Sequence, residues 1–393
     1  MLKKTHIDKI YFILCLVVYA IASFFIMPSI DNQAGLGTND IANYEFLAMI
    51  VSLPYILFGI KSIINHNNKL LCSYIVFFVW SFVISLLTLD GISELLFSIY
   101  PIAPLLVSYL YFLKNPSDRI INSLFIVTFI AVSVQYFHIY YVANQYNTAN
   151  IGVSYFPLLV LPFIFLNKSK LIKLAALLLT TFIIITSGKR GGLLALVLGI
   201  AVYLYCRMHL IDSKREKISF IVITCIAILS VVIVLSLNLH DMDFSSNMFD
   251  RITNIANDKG SGRLFIWQKV ISDIGDSDVL SFLFGHGYRS VAIDYGPNLV
   301  PAHNDFLEVF YDFGLIGLIM YIFIWILLIK KALYLYRTKN EYTPTFCFML
   351  SLYFIFSMIS IVLYYFWITY ILLMIGLVTG REKLNICKQQ TEL

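Results

Sequence analysis

Three short stretches of this chain hold the residue types that bind phosphate or move a proton. The first is Ser187-Gly188-Lys189-Arg190-Gly191-Gly192, two adjacent cations in a glycine-rich turn. The second is Ser261-Gly262-Arg263 with Trp267 one helical turn on, and the third is Pro301-Ala302-His303-Asn304-Asp305-Phe306-Leu307-Glu308. A pyrophosphate leaving group gains negative charge as its bond to carbon breaks. Arginine forks hold that charge bidentately, and more strongly where water is partly excluded. A histidine beside such a cluster can transfer a proton. Arg190, Arg263 and His303 are the candidate catalytic residues. Lys189, Arg251, Trp267, Asn304 and Glu308 are candidates for binding substrate, at its phosphates or its glycan.

Each stretch also has a plainer reading. Lys189 and Arg190 could be a snorkelling pair at a membrane surface. Asp305 with Glu308 fits an N-terminal capping box whose charges suit a helix dipole, but that leaves His303 unexplained. Arg263 and Trp267, four apart, could stack as a cation on an aromatic face. Asp31 and Asp40, separated by a glycine-rich stretch, are the weak candidates for a metal, and no paired acidic motif stands out. The six cysteines (Cys15, Cys72, Cys206, Cys225, Cys347, Cys387) have neither a disulfide framework nor metal-ligand spacing.

The elements that must position these residues are membrane helices. Hydrophobic residues make up 60% of the 393 and charged ones 13%, and the mean hydropathy is +0.83. A soluble domain has roughly a quarter of its residues charged. Apolar runs long enough to span recur near 10–29, 44–64, 70–89, 92–113, 120–142, 151–166, 171–187, 191–207, 218–237, 306–329, 344–361 and 362–379. The predicted fold is an all-α polytopic membrane protein of about twelve transmembrane helices. Spans one to nine occupy 1–237, one large outer loop with short helices occupies 238–305, and spans ten to twelve with a cytoplasmic tail occupy 306–393.

Basic residues alternate along the connections as the positive-inside rule requires. Lys3, Lys4 and Lys9 come before span one, and the next clusters are Lys61 with Lys69 and Lys114 with Arg119. Lys168–Lys173, Arg207–Lys217, Lys330–Lys339 and Arg381–Lys388 follow. Both termini are read as cytoplasmic. The stretch 343–380 is read as two short spans rather than one, which keeps the last basic cluster inside. Lys189 and Arg190 break the pattern in a short outer turn, which favours a functional reading. In the loop, Leu264, Trp267 and Ile271 at helical spacing predict an amphipathic helix lying in the interface, with Trp267 in an aromatic-belt position. Within the spans only Glu94 stands out as a strong charge.

Taken in order, these residues resemble the bacterial O-antigen polymerase and ligase superfamily (Wzy and WaaL types). The resemblance rests on Ser187–Gly192 opening a span and on Ser261-Gly262-Arg263…Trp267 in the large loop. It rests also on His303-Asn304, then nine residues, then Gly314-Leu315-Ile316-Gly317. It covers about 187–317; the first six spans match only in hydropathy and number. The resemblance implies a GT-C-like, metal-independent glycosyltransferase without a cofactor, at the periplasmic face of the inner membrane. Its substrate would be an undecaprenyl-pyrophosphate-linked oligosaccharide. Arg190 and Arg263 would bind the pyrophosphate, and His303 would help activate the acceptor hydroxyl. Expected partners are the lipid bilayer and a chain-length regulator protein, and not nucleic acid.

Polymerase and ligase break the same sugar–pyrophosphate bond and differ in acceptor. The Ser261–Trp267 stretch and the Gly285-His286-Gly287 turn look more like polymerases, a reading that a capsule polymerase would share. A flippase for the same lipid-linked sugars is the alternative from another class. It would usually show internal repeats and charges buried in its spans, and no convincing repeat is found. A purely structural membrane protein ranks lower.

Overall fold

The computed structural model describes residues 2–30, 38–66, 68–88, 91–114, 119–145, 152–215, 217–218, 263–294, 301–363 and 366–392. Nearly all of span nine, together with Asp31, Arg251 and the loop up to residue 262, lies outside them. No strand occurs among the described residues. The protein is an all-α polytopic membrane protein. In hydrocarbon each backbone polar group must be satisfied within its own segment, and an apolar helix does this.

The helices are α1 (Leu2–Ile30), α2 (Thr38–His66), α3 (Lys69–Leu87), α4 (Ile92–Ile99), α5 (Ile102–Lys114), α6 (Arg119–Gln145), α7 (Tyr155–Ile164), α8 (Lys170–Thr186) and α9 (Arg190–Leu210). Beyond the undescribed segment come α10 (Arg263–Asp276), α11 (Val279–Phe284), α12 (Ser290–Asp294), α13 (Asp305–Arg337), α14 (Thr343–Ile359) and α15 (Ile368–Glu392). Among the described residues, seven helical segments are long and apolar enough to cross a membrane. Two expected spans differ in form. The fourth is broken at Tyr100-Pro101 into α4 and α5, because proline has no N–H for the helix ladder. The sixth is a 3-10 turn plus the ten residues of α7, shorter than the roughly 20 of a straight crossing.

The stretch 343–380 is two helices, as expected. Thr343 at the start of α14 donates to Leu335 O at 2.9 Å, so α14 begins where α13 ends. The chain turns after Ile359 and returns as α15. Tyr370 OH there meets Ser23 Oγ at 2.7 Å, and Tyr100 OH meets Thr369 Oγ1 at 2.7 Å. Further along, Glu382 pairs with Lys331 of α13. Lys114 pairs with Asp8 at 3.4 Å, and Lys339 with Asp212 at 2.7 Å. Lys69, Lys330, Lys331 and Lys383 line one cleft. Basic clusters far apart in sequence thus collect at one end of the bundle. The turn Ser187–Arg190, residues 301–305 and the α14–α15 connection gather at the other end.

At that second end α13 is two helical pieces joined at Gly314, where φ is 69° and ψ −172°. The break releases carbonyls that neighbours then use. His286 N–H donates to Tyr311 O at 3.1 Å and Gly287 N–H to Asp312 O at 3.0 Å. Trp80 Nε1 donates to Phe313 O at 3.3 Å. A Cβ on Gly314 would lie 2.3 Å from the Leu283 backbone, and one on Gly285 would lie 2.2 Å from Asp312 O. Two glycines with positive φ therefore let the loop helices seat on the kink. We expect Gly314→Ala to lower the unfolding temperature of the detergent-purified protein. Backbone strain alone should cost about 1–3 kcal/mol, with the clash added. An unchanged unfolding temperature would contradict this seam.

Candidate functional site

The site is built around the start of α13. Asn304 is its N-cap: the Oδ1 accepts from the N–H groups of Phe306 at 3.0 Å and Leu307 at 3.2 Å. The capping box expected from Asp305 and Glu308 is therefore corrected. Asp305 is the first helical residue, is wholly buried, and points into the bundle. Its carboxylate accepts from Ser357 Oγ at 2.7 Å, Tyr321 OH at 3.2 Å, Val362 N at 2.9 Å and Leu363 N at 3.5 Å. Asn304 Nδ2 reaches Met358 O at 3.4 Å. Glu308, also buried, accepts from the N–H of Ala302 rather than from the cap residue, and its Oε2 has no hydrogen-bond partner.

His303 is held between these anchors. Its φ is +54°, a left-handed conformation that is uncommon without glycine and that surrounding contacts must impose. Its Nδ1 is buried without a hydrogen-bond partner. Burial pushes the imidazole pKa down to about 4, and the cations of Arg263 and then Lys189 push the same way. Lys189 and Arg263, 74 positions apart in sequence, thus both act on one histidine.

Arg263 opens α10 and is half-buried. The helix is amphipathic as expected, and its opposite face packs on the protein. Val270 and Ile274 are buried with Ile266 and Trp267 beside them, whereas Leu264 and Ile271 are exposed. Trp267 Nε1 donates to Ala302 O at 2.7 Å. The indole therefore fastens α10 to the residue before His303. A 3.6-residue period is satisfied by either face here, because apolar residues occupy both.

The turn before α9 supplies the other cations. Gly188 takes φ +64°, and the Lys189 N–H donates to Ser187 Oγ at 3.4 Å. Arg190 is the first residue of α9, and it and Lys189 are both half-buried. A Cβ on Gly191 would lie 2.5 Å from Ile359 Cδ1, so this turn packs on the end of α14. The adjacent Met358 carbonyl holds Asn304. The end of α14 is thus the common wall of the Lys189–Arg190 turn and the His303–Asp305 stretch.

Sequence reading named Glu308 but missed Glu45 and Asp312, and it missed that acids lie buried inside the spans. Glu45, Glu308 and Asp312 all sit buried in helices that read as spans, so Glu94 is not the one strong charge there. Asp312 accepts from the N–H groups of Arg289 at 2.8 Å and Val291 at 3.4 Å. Glu45 lies within electrostatic reach of Arg289. Their signal was polar residues within the first turns of apolar runs. The Gly285-His286-Gly287 turn belongs to the scaffold: His286 stacks on Tyr311 at 4.5 Å, and its Nε2 lies 3.3 Å from Ser277 Oγ.

Residues 175–322 match the family model described as O-Antigen ligase. The match spans somewhat more than a third of the chain. It contains every candidate catalytic and substrate-binding residue, from Lys189 to Glu308, together with the Gly314 kink. It supports the O-antigen polymerase and ligase superfamily and does not separate its two activities. No curated protein matches the chain.

The charge arrangement has a measurable consequence. Replacing Arg263 or Lys189 by glutamine removes a cation that disfavours the imidazolium. The His303 pKa should then rise from about 4 towards the ordinary value of about 6.5. NMR titration of labelled histidine, with His303→Gln for assignment, reads this directly. A His303 pKa unmoved in both variants would mean that the cations do not converge on it.

Proposed function

We propose that the protein is an O-antigen or related surface-polysaccharide polymerase. It would join undecaprenyl-pyrophosphate-linked repeat units at the periplasmic face of the inner membrane. The observation that carries this reading is the convergence of Arg263 and Lys189 on His303, whose buried Nδ1 has no hydrogen-bond partner, at the start of a membrane helix. Arg190, Arg263 and Lys189 hold the donor pyrophosphate and stabilise the charge it gains as the sugar leaves. His303 takes the proton of the acceptor hydroxyl as the oxygen attacks the anomeric carbon. Arg251 is proposed as a further cation for the substrate. Asn304, Glu308 and Trp267 position the histidine through the backbone that they anchor.

A pKa near 4 makes a weak base, because general bases work best with a pKa near the operating pH. Burial is the larger cause of that low value, and donor binding relieves the electrostatic part that adds to it. The pyrophosphate charge cancels the cations' field at His303, so the bound enzyme has a more basic imidazole than the free one. The base is thereby strengthened when the donor is in place. No metal is needed in this scheme, since the cations do the electrostatic work.

The ligase reading stays second, because the matched family is described as O-antigen ligase and the donor half of the site serves both. Polymerase is preferred on the Ser261–Trp267 stretch. The lipopolysaccharide of a deletion strain separates the two. Loss of a polymerase leaves core plus one repeat unit, whereas loss of a ligase leaves bare core with lipid-linked chains accumulating. In the complemented strain, Arg190→Ala and Arg263→Ala should each lower the polymerisation rate by about 10²–10³. Lysine at either position should retain part of it, keeping the charge without the fork. Full-length polymer from both well-expressed alanine variants would rule out the clamp.

A further inference from the structure

The end of the bundle remote from this site carries a second polar feature. A cleft opens there between the start of α3, the second half of α13 and α15. It is lined by Lys69, Lys330, Lys331 and Lys383 together with Glu382 and Thr379. Lys331 is paired with Glu382, and both side chains are largely covered, at 13% and 17% exposure. That pair is neutral and forms part of the wall. Lys69, Lys330 and Lys383 carry no ion pair among the described residues, so the cleft has three uncompensated positive charges.

Thr379 gives an independent indication. It is 1% exposed, and its Oγ1 is buried without a hydrogen-bond partner. Several hydroxyls inside these helices donate back to the carbonyl four residues earlier, as Thr128, Ser133 and Thr180 do, while Ser81 and Ser85 within α3, away from the cleft, share the unpartnered state. Thr379 does not donate back, and a buried hydroxyl left unsatisfied costs about 1–3 kcal/mol. An oxygen acceptor in the cleft would satisfy it. The α3 N-terminus adds its positive dipole end, with Asn68 capping and Lys69 at the first helical position.

We propose that this cleft binds the headgroup phosphate of an anionic phospholipid. Lys69, Lys330 and Lys383 supply the charge and Thr379 the short-range donor. A lipid is favoured over a soluble phosphate because the cleft lies at the ends of membrane helices, among the basic clusters where headgroups sit. Ile329 and Leu333, exposed on the adjoining face of α13, offer acyl chains an apolar track. Basic pockets between transmembrane helices suit anionic headgroups, at about 1 kcal/mol for each lysine near the surface.

The test is lipid binding to the purified full-length protein by native mass spectrometry, with phosphatidylglycerol, phosphatidylcholine and inorganic phosphate as probes. Phosphatidylglycerol should bind tightest, with one preferred site. Each lysine-to-glutamine change should weaken it about fivefold, and Lys69→Gln/Lys330→Gln/Lys383→Gln together on the order of 100-fold. Thr379→Val should weaken it as well. Lys331 and Glu382 are left intact to preserve the packed pair. Should the triple variant fail to fold, the exposed Lys69→Gln alone carries the fivefold expectation. Equal binding of phosphatidylcholine would overturn the proposal, as would inorganic phosphate binding as tightly as the lipid, or undiminished phosphatidylglycerol binding in the variants. All of these readouts are independent of sugar transfer.

Discussion

A carboxylate buried among apolar helices is tolerated only where donors surround it, because its desolvation is otherwise too costly. Asp305 meets that condition with four donors: a serine on α14, a tyrosine within α13 and two backbone N–H groups of the following connection. The backbone donors come from the break between α14 and α15, where N–H groups have no helical acceptor. One side chain thus fixes the start of α13 against the end of α14 and sets where α15 begins its return. His303 precedes this anchor by two residues, and the Lys189–Arg190 turn packs on Ile359 just before the same break. If Asp305 were released, the histidine and the cations would lose their shared reference.

The Gly314 kink supports the arrangement from the other side. Tyr311, Asp312 and Phe313 turn their carbonyls to the loop and to α3, so the loop helices dock on α13 itself. Through Trp267 and Ala302 the same docking holds α10, and with it Arg263, beside His303. The cations reach the site from separate parts of the chain, yet each is fastened to α13 or α14. Electrostatic stabilisation of a leaving group depends on such preorganisation, since dipoles and charges already in place need no rearrangement as the bond breaks.

Much of this was legible in the sequence because hydropathy and basic-residue spacing follow directly from the bilayer. Helix positions, the two-helix reading of 343–380 and the gathering of basic clusters at one end all came from those signals. The three chemical stretches were legible too, because cations and a histidine are conspicuous in a chain with 13% charged residues. What the sequence could not give was direction. Asp305 and Glu308 look the same whether they cap a helix or turn into a bundle, and the outcome depends on Ser357 and Val362, about fifty residues away. The face by which α10 packs on the protein could not be read for the same reason, since Trp267 finds its partner 35 positions off. Glycines that read as a motif form a docking seam, Gly285 lying on the Asp312 backbone and Gly314 on that of Leu283.

The central claim is that the cation–histidine cluster makes a glycosidic bond rather than admitting a lipid to a pathway across the bilayer. The most direct measurement uses the purified protein in liposomes with lipid-linked repeat units supplied on the face that holds His303. The account predicts that longer lipid-linked glycans form without any other protein, and that His303→Ala lowers their rate of formation by about 10²–10⁴ while donor binding persists. Movement of unaltered repeat units across the liposome membrane, with no bond formed and no effect of His303→Ala, would contradict it.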